Sequence, residues 1–222
     1  MNSQPYYIVP FCAKEPLTLY QDKHLLLVSK PEFLLSVPGR APENKDCLIT
    51  RLQREHPSAS IVHRLDLDTS GIMIIPLEKS AHSHISRQFQ ERQITKHYTA
   101  EVFGLIDEDN GCIELPIAKD WPNRPKQKID FEKGKSAVTH WQVLKRFPKE
   151  NKTRLLLKPV TGRTHQLRIH LREIGHPILG CDMYAHKEAL ERSPRLLLHA
   201  TYITFTHPIS GKVLFGYCPP EF

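Results

Sequence analysis

The chain has 222 residues, enough for one large domain, or a domain in two halves, with a proper core. Its 31 Lys plus Arg against 24 Asp plus Glu leave a formal net charge of +7, which two readings share: a partner of anionic character, nucleic acid first and membrane second, or a basic enzyme with no polyanion. Five scattered cysteines with no C-x-x-C pair argue against a disulfide framework or structural zinc, and with no secretory signal pattern and no apolar run of membrane-spanning length a cytoplasmic protein is expected.

Residues 1–16 carry three prolines and two tyrosines and read as a surface tail. Residues 25–28 form a short apolar strand closed by Lys30-Pro31, and residues 34–40 read as a strand running into a turn. Asp46 stands where it would cap a helix over 47–56, with Leu48, Ile49 and Leu52 inward, Arg51 and Arg54 in solvent, and Pro57 ending it. Residues 60–77 read as strand, turn and strand. Ser80 opens a second helix to Arg92 with a buried stripe of Ala81, Ile85 and Phe89, while Arg87, Gln88, Glu91 and Arg92 face out. Residues 96–103 alternate as a strand, and 105–118 hold a loop and a short strand. Residues 120–128 are aromatic, proline-rich and basic.

Strands follow at 137–144 and 154–158. Thr161-Gly162-Arg163-Thr164 then opens a helix through Glu173, closed by Gly175, with Leu167, Leu171 and Ile174 as its core face. A short helix near 184–192 and strands at 196–205 and 213–217 complete the chain. Strands outnumber helices without strict alternation, so the expected class is α+β, with a mixed, largely antiparallel sheet and flanking helices. No internal repeat or linker interrupts it.

The stretch His63-Arg64-Leu65-Asp66-Leu67-Asp68-Thr69-Ser70-Gly71 sets charges between apolar runs, which suggests a cleft wall, because desolvating an unpaired charge is costly. If it is extended, Asp66 and Asp68 share a face and form an acid/base pair. Asp68 reads more simply as a turn residue. Asp66 is open to an ion pair with Arg64 or another arginine. Arg168 sits between Leu167 and Leu171 and needs a carboxylate, for which Asp66 is the best candidate. The bland alternative is a phosphate contact or a solvated arginine. His165 and His170 are five apart with no second ligand pair, so no metal site is expected.

In these residues the chain resembles the RluA family of pseudouridine synthases. The matching motifs are His63-Arg64-Leu65-Asp66 with Thr69-Ser70-Gly71, Lys96 through Gly104 (KHYTAEVFG), Gly162 through Leu171 (GRTHQLRIHL), and His176 through Gly180 (HPILG). They are long, ordered as in the family, and span nearly the whole chain. Residues 34–40, 120–128 and 194–200 look like the branch acting on both a tRNA anticodon stem-loop and large-subunit (23S) ribosomal RNA. One departure is Cys181, which stands where the family places Asp; Asp182 follows it.

The resemblance implies a pseudouridine synthase fold with a central catalytic cleft, over residues 17–222 and with no accessory RNA-binding domain. It implies an isomerase that breaks the N-glycosidic bond of an everted uridine, rotates the uracil and rejoins it through C5, without cofactor or metal. Carried over, Asp66 looks like the catalytic carboxylate, whether it attacks C6, attacks C1′ or takes a sugar proton. Tyr98 looks like the aromatic packed on the uracil, Arg64 like the residue intruding into the RNA stack, and Leu167 and Arg168 like active-site support. Arg40, Arg124, Lys126, Lys128 and Arg163 are expected on the RNA-binding surface, and a monomer is the plain expectation. Two other classes compete: a non-catalytic RNA-binding or ribosome assembly factor, and a glycoside or nucleoside hydrolase using Asp66 and Asp68.

Overall fold

The computed structural model describes residues 7–222; residues 1–6 of the expected tail lie outside them. In chain order the elements are β1 (Leu17–Gln21), β2 (Leu25–Lys30), α1 (Leu48–Leu52), β3 (Ser70–Pro76), α2 (Lys79–Gln90), β4 (Thr95–Phe103), β5 (Asn110–Glu114), β6 (Ile117–Lys119), β7 (Gln127–Ile129), β8 (Val138–Phe147), β9 (Lys152–Pro159), α3 (Gln166–Glu173), α4 (Lys187–Glu191), β10 (Leu198–Thr206) and β11 (Val213–Tyr217). The class is α+β, and the pairs β1·β2, β2·β3, β10·β11, β4·β9, β8·β9, β5·β8 and β6·β7 run antiparallel. No helix of the described residues is long and apolar enough to cross a membrane. The chain divides into two compact units, the first running to Ile94 and including Tyr202–Cys218, the second comprising Thr95–Thr201 and Pro219–Phe222.

In the first unit β2 pairs with β1 on one side and β3 on the other, Lys30 standing opposite Gly71. All seven residues of β3 are buried, as a continuous apolar run requires. β11 pairs with the end of β10, from Tyr202↔Tyr217 to Thr206↔Val213. The core gathers Leu25, Leu27, Ile72, Ile74, Ile85, Ile94, Ile203 and Phe205. In the second unit the strands run in the order β4-β9-β8-β5, with β6 and β7 as a separate two-stranded ribbon. β9 alternates, burying Thr153, Leu155 and Leu157 on one face. Leu155 and Leu157 pack in a core with Val102, Ile113, Ile169, Leu171 and Ile178. α3 ends as expected at Gly175, whose φ of +84° is the left-handed conformation that favours glycine.

Several local readings are corrected. Residues 34–40 are not a strand, and residues 60–66 are irregular rather than the first strand of a pair. α1 is shorter than read and is capped by Cys47, whose N–H donates to Thr50 Oγ1 at 3.1 Å. Asp46 is taken by another task, because Arg51 is only 6% exposed rather than in solvent. Its guanidinium donates twice to the Asp46 carboxylate, at 2.8 and 2.6 Å, and to the carbonyls of Lys14 at 2.8 Å and Cys12 at 2.6 Å. Such a fork satisfies a charge that the fold has desolvated. It also ties the segment before β1 to this unit. α2 starts after Glu78 rather than Ser80, whose hydroxyl donates to Glu78 Oε1. Gln88, read as outward, is buried and closes a two-bond clamp on the backbone of Thr206, at 2.7 and 2.8 Å.

Arg51→Met is expected to destabilise the protein by about 2–4 kcal/mol in urea melts, since it strands two carbonyls and a carboxylate. Arg51 holds the Asp46 carboxyl below its ordinary value. The pair's contribution is therefore whole above the unfolded carboxyl's pKa and is lost as pH falls through the lowered one. The difference between Arg51→Met and the parent should shrink correspondingly on acidification.

Candidate active site

Asp66 lies in the first unit, on the irregular segment leading into β3. The segment closes in a turn, Thr69 N–H donating to the Asp66 carbonyl at 3.2 Å, so the extended geometry that would set Asp66 and Asp68 on one face is absent. Outside a ladder, backbone groups need other partners. On one side of Asp66, the Ser36 hydroxyl donates to the Leu65 carbonyl at 2.8 Å and accepts from Leu65 N–H at 3.2 Å. On the other, Lys30 Nζ donates to the Leu67 carbonyl at 3.1 Å and to those of Pro31 and Leu34 at 2.8 Å each. Further back, His63 Nε2 accepts from Ile74 N–H at 2.9 Å, and the ring packs 4.6 Å from Phe89 on α2. The backbone on both flanks of Asp66 is thereby fixed, while Asp66 is half-buried and Arg64 exposed.

Lys30 is fully buried. Desolvation pulls its ammonium down to about 7, while the charges of Asp68 and then Asp66 hold it up. It therefore serves the segment both as a donor and as a positive charge near the two carboxylates. Neither Ser36 nor Lys30 was among the residues singled out from the sequence. The one available signal was phase, since Lys30 follows Leu26 and Val28 at strand spacing and Ser36 follows Leu34.

The second unit carries Tyr98, Leu167 and Arg168. Tyr98 lies on β4 opposite Leu157 of β9 and packs against the core. Residues 161–165 approach α3 in a loop clasped by Gln166. Its Oε1 accepts from Thr161 Oγ1 at 2.8 Å and Arg163 N–H at 3.0 Å, and its Nε2 donates to the Val138 carbonyl and Thr139 Oγ1, both at 3.0 Å. Arg168 is 1% exposed. It donates through Nη2 to Asp182 Oδ1 at 2.5 Å and through Nε to Cys181 Sγ at 3.3 Å. Its guanidinium carbon lies 5.4 Å from the centre of the Tyr184 ring. The residues after Gly180 thus supply this arginine with a carboxylate that was not assigned to it from the sequence. Gly180 has a φ of +70°, and a Cβ there would come 1.9 Å from the Arg195 carbonyl oxygen, so the turn presenting Cys181 and Asp182 requires glycine.

The cations expected to meet RNA are divided. Arg40 is an exposed residue of the first unit. In the second, Arg124 and Lys126 are exposed, Lys128 pairs with Asp130 at 3.2 Å, and Arg163 Nε donates to the Ser136 carbonyl at 3.0 Å. Among the described residues, no group of three or more His, Cys, Asp or Glu side chains gathers as metal ligands.

A family model described as RNA pseudouridylate synthase matches residues 24–173, which include Lys30, Ser36, Arg64, Asp66, Tyr98 and Arg168. The chain is 52% identical over 206 residues to the dual-specificity RNA pseudouridine synthase RluA of Yersinia pestis, covering 93% of this chain and 100% of that one. It is 49% identical over 204 residues to the protein of that name in Escherichia coli K12, covering 92% and 93%. Among solved structures, human RNA pseudouridylate synthase domain containing 1 superposes with a TM-score of 0.77 at 28% identity, over 99% of this chain and 87% of that one. Human RNA pseudouridylate synthase domain containing 4 shares the fold, with a TM-score of 0.72 at 23% identity over 92% and 89%.

Ser36→Ala leaves the N–H and C=O of Leu65 without their hydroxyl partner. A loss of about 1–3 kcal/mol in urea melts is expected, together with faster amide exchange at Leu65. Lys30→Met strands three carbonyl oxygens and should lower the melting temperature more than Ser36→Ala does.

Proposed function

The chain belongs to the RNA pseudouridylate synthase family, and from that premise we propose that it isomerises a uridine in structured RNA loops, both in a tRNA anticodon stem-loop and in 23S ribosomal RNA. Asp66 is the catalytic carboxylate. The target nucleotide leaves the helix, at a cost of a few kcal/mol that is smallest in an open loop. Arg64, exposed on the same segment, fills the vacated stack with its guanidinium plane. Tyr98 packs on the freed uracil, and Leu167 and Arg168 support the site. One bond is broken (N1–C1′), one is made (C5–C1′), and the C5 proton departs as N1 gains one, so no external reactant is consumed. The protein works in the cytoplasm, as a monomer.

The observation that carries this reading is the fixed backbone around Asp66, with Leu65 held by Ser36 and Leu67 by Lys30. A reacting carboxylate gains rate from being held in place, and a small displacement is costly. Binding of RNA draws on the exposed cations Arg40, Arg124 and Lys126, with Lys128 and Arg163 beside them, which makes affinity fall with salt.

The test is incubation with an anticodon stem-loop transcript, pseudouridine being mapped by carbodiimide-dependent primer extension. Asp66→Asn should bind the transcript and form no product; turnover by that variant would overturn the assignment. Arg168→Ala should lose about 100-fold or more in turnover with a smaller loss of affinity. Equal losses would make Arg168 a phosphate contact instead. A wild-type protein that binds transcripts and modifies none would be a binding module.

A further inference from the structure

On the RNA reading above, we propose that Trp121 is a stacking platform for one unpaired nucleobase of the substrate loop, with Lys119 and Arg124 beside it as phosphate contacts. The two tryptophans have opposite fates. Trp141 is 8% exposed in the core of the second unit, whereas Trp121 is 62% exposed. Lys119 Nζ and the Arg124 guanidinium carbon each lie 5.3 Å from the centre of its ring. Lys126 stands exposed in the same loop. Among the described residues no carboxylate forms a salt bridge with Lys119, Arg124 or Lys126. Unpaired cations around a bare aromatic ring match the combination of phosphate and base that a single strand offers.

The loop is closed by hydrogen bonds of its own. Asp120 N–H donates to the Lys126 carbonyl at 3.1 Å, Lys126 N–H to the Asn123 carbonyl at 3.0 Å, and Asn123 N–H to the Asp120 carbonyl at 3.1 Å. Asn123 Nδ2 adds a bond to Asp120 Oδ2 at 2.9 Å. Its far end is anchored where Gln127 N–H donates to the Tyr184 hydroxyl at 2.9 Å. The indole is therefore offered on ordered backbone, and stacking a base on it costs little further ordering. A cation over an exposed ring is a weak contact, weaker than a stacked base. A base that displaces Lys119 or Arg124 from the ring frees that cation for its own phosphate. Stacking also tolerates any base, which suits an enzyme that accepts loops of different sequence.

The experiment compares wild type, Trp121→Ala and Trp121→Phe on the anticodon stem-loop transcript and on a blunt RNA duplex of equal length. Trp121→Ala should weaken stem-loop affinity about 5- to 150-fold, the range for loss of one stacked base, with duplex affinity and the salt slope unchanged. Trp121→Phe should retain most of the stem-loop affinity. Tryptophan fluorescence should be quenched on stem-loop binding in the wild type and not in Trp121→Phe, where only Trp141 emits. Wild-type affinity in Trp121→Ala, an equal loss on both RNAs, or absence of quenching in the wild type would each overturn the platform. Pseudouridine mapping on the wild type separates the two readings. Product made without any Trp121 dependence of binding sinks only the platform, whereas absence of product sinks the isomerase.

Discussion

The constraint on which the first unit turns is the need to hold a charged side chain on backbone that no sheet supports. In a strand, the N–H and C=O of Leu65 and Leu67 would find ladder partners, but side chains would alternate strictly between two faces. The irregular path through residues 61–69 escapes that alternation and leaves polar backbone groups to be satisfied otherwise. One hydroxyl takes both groups of Leu65, and one ammonium takes the carbonyl of Leu67. Burying Lys30 is expensive, as the depression of its ammonium to about 7 shows. Three carbonyl oxygens and the charges of Asp68 and Asp66 offset that cost. A lysine is suited to the task because its three N–H donors radiate from one atom.

The same solution recurs wherever charge is buried. Arg51 meets Asp46 with a fork and spends its remaining donors on two carbonyls. Glu101, nearly inaccessible on β4, accepts from Arg154 Nη2 at 2.7 Å and pairs with Lys152 at 3.0 Å. Arg168 takes Asp182 and the Cys181 sulfur. Buried pairs of this kind add little net stability relative to apolar packing, but breaking one is costly because the survivor stays desolvated. Their effect is to admit one geometry and penalise its neighbours. For Arg168, that geometry depends on Gly180, because only glycine can turn the chain so close to the Arg195 carbonyl.

Elements whose side chains answer to a local period were legible in the sequence. β11 occupies the residues 213–217 read as the last strand, the run of aliphatics after Gly71 is β3, and Gly175 ends α3. The family was legible too, through the motifs around Asp66, Tyr98 and Arg168. What stayed hidden were side chains whose partners lie far along the chain. Leu34 and Ser36 alternate like strand residues and were read as one, yet Ser36 is buried to reach Leu65, 29 positions on. Gln88 has the polarity of an outward residue and binds Thr206, 118 positions away. Arg51 follows helical spacing into apparent solvent, where a folded-back N-terminal segment covers it. A local pattern ranks residues by polarity, and polarity cannot distinguish water from a distant carbonyl as the partner.

Two kinds of positive charge follow from this, and they do different work on the proposed reading. Lys30, Arg51 and Arg168 are buried and hydrogen-bonded, so bulk salt screens them little, and they fix backbone or side-chain geometry. Lys119, Arg124 and Lys126 are exposed, and because water already solvates them, leaving them unpaired costs almost nothing. Their attraction for phosphate is long-ranged and screened by salt. Isomerisation consumes no reagent, so the protein's contribution reduces to bringing one nucleotide to one carboxylate and keeping it there. The exposed set serves the first requirement, and Lys30 steadies the backbone that carries the carboxylate of the second. The two sets differ in burial, and hence in effective dielectric, so a change in ionic strength weakens capture of the RNA while leaving the setting of Asp66 intact.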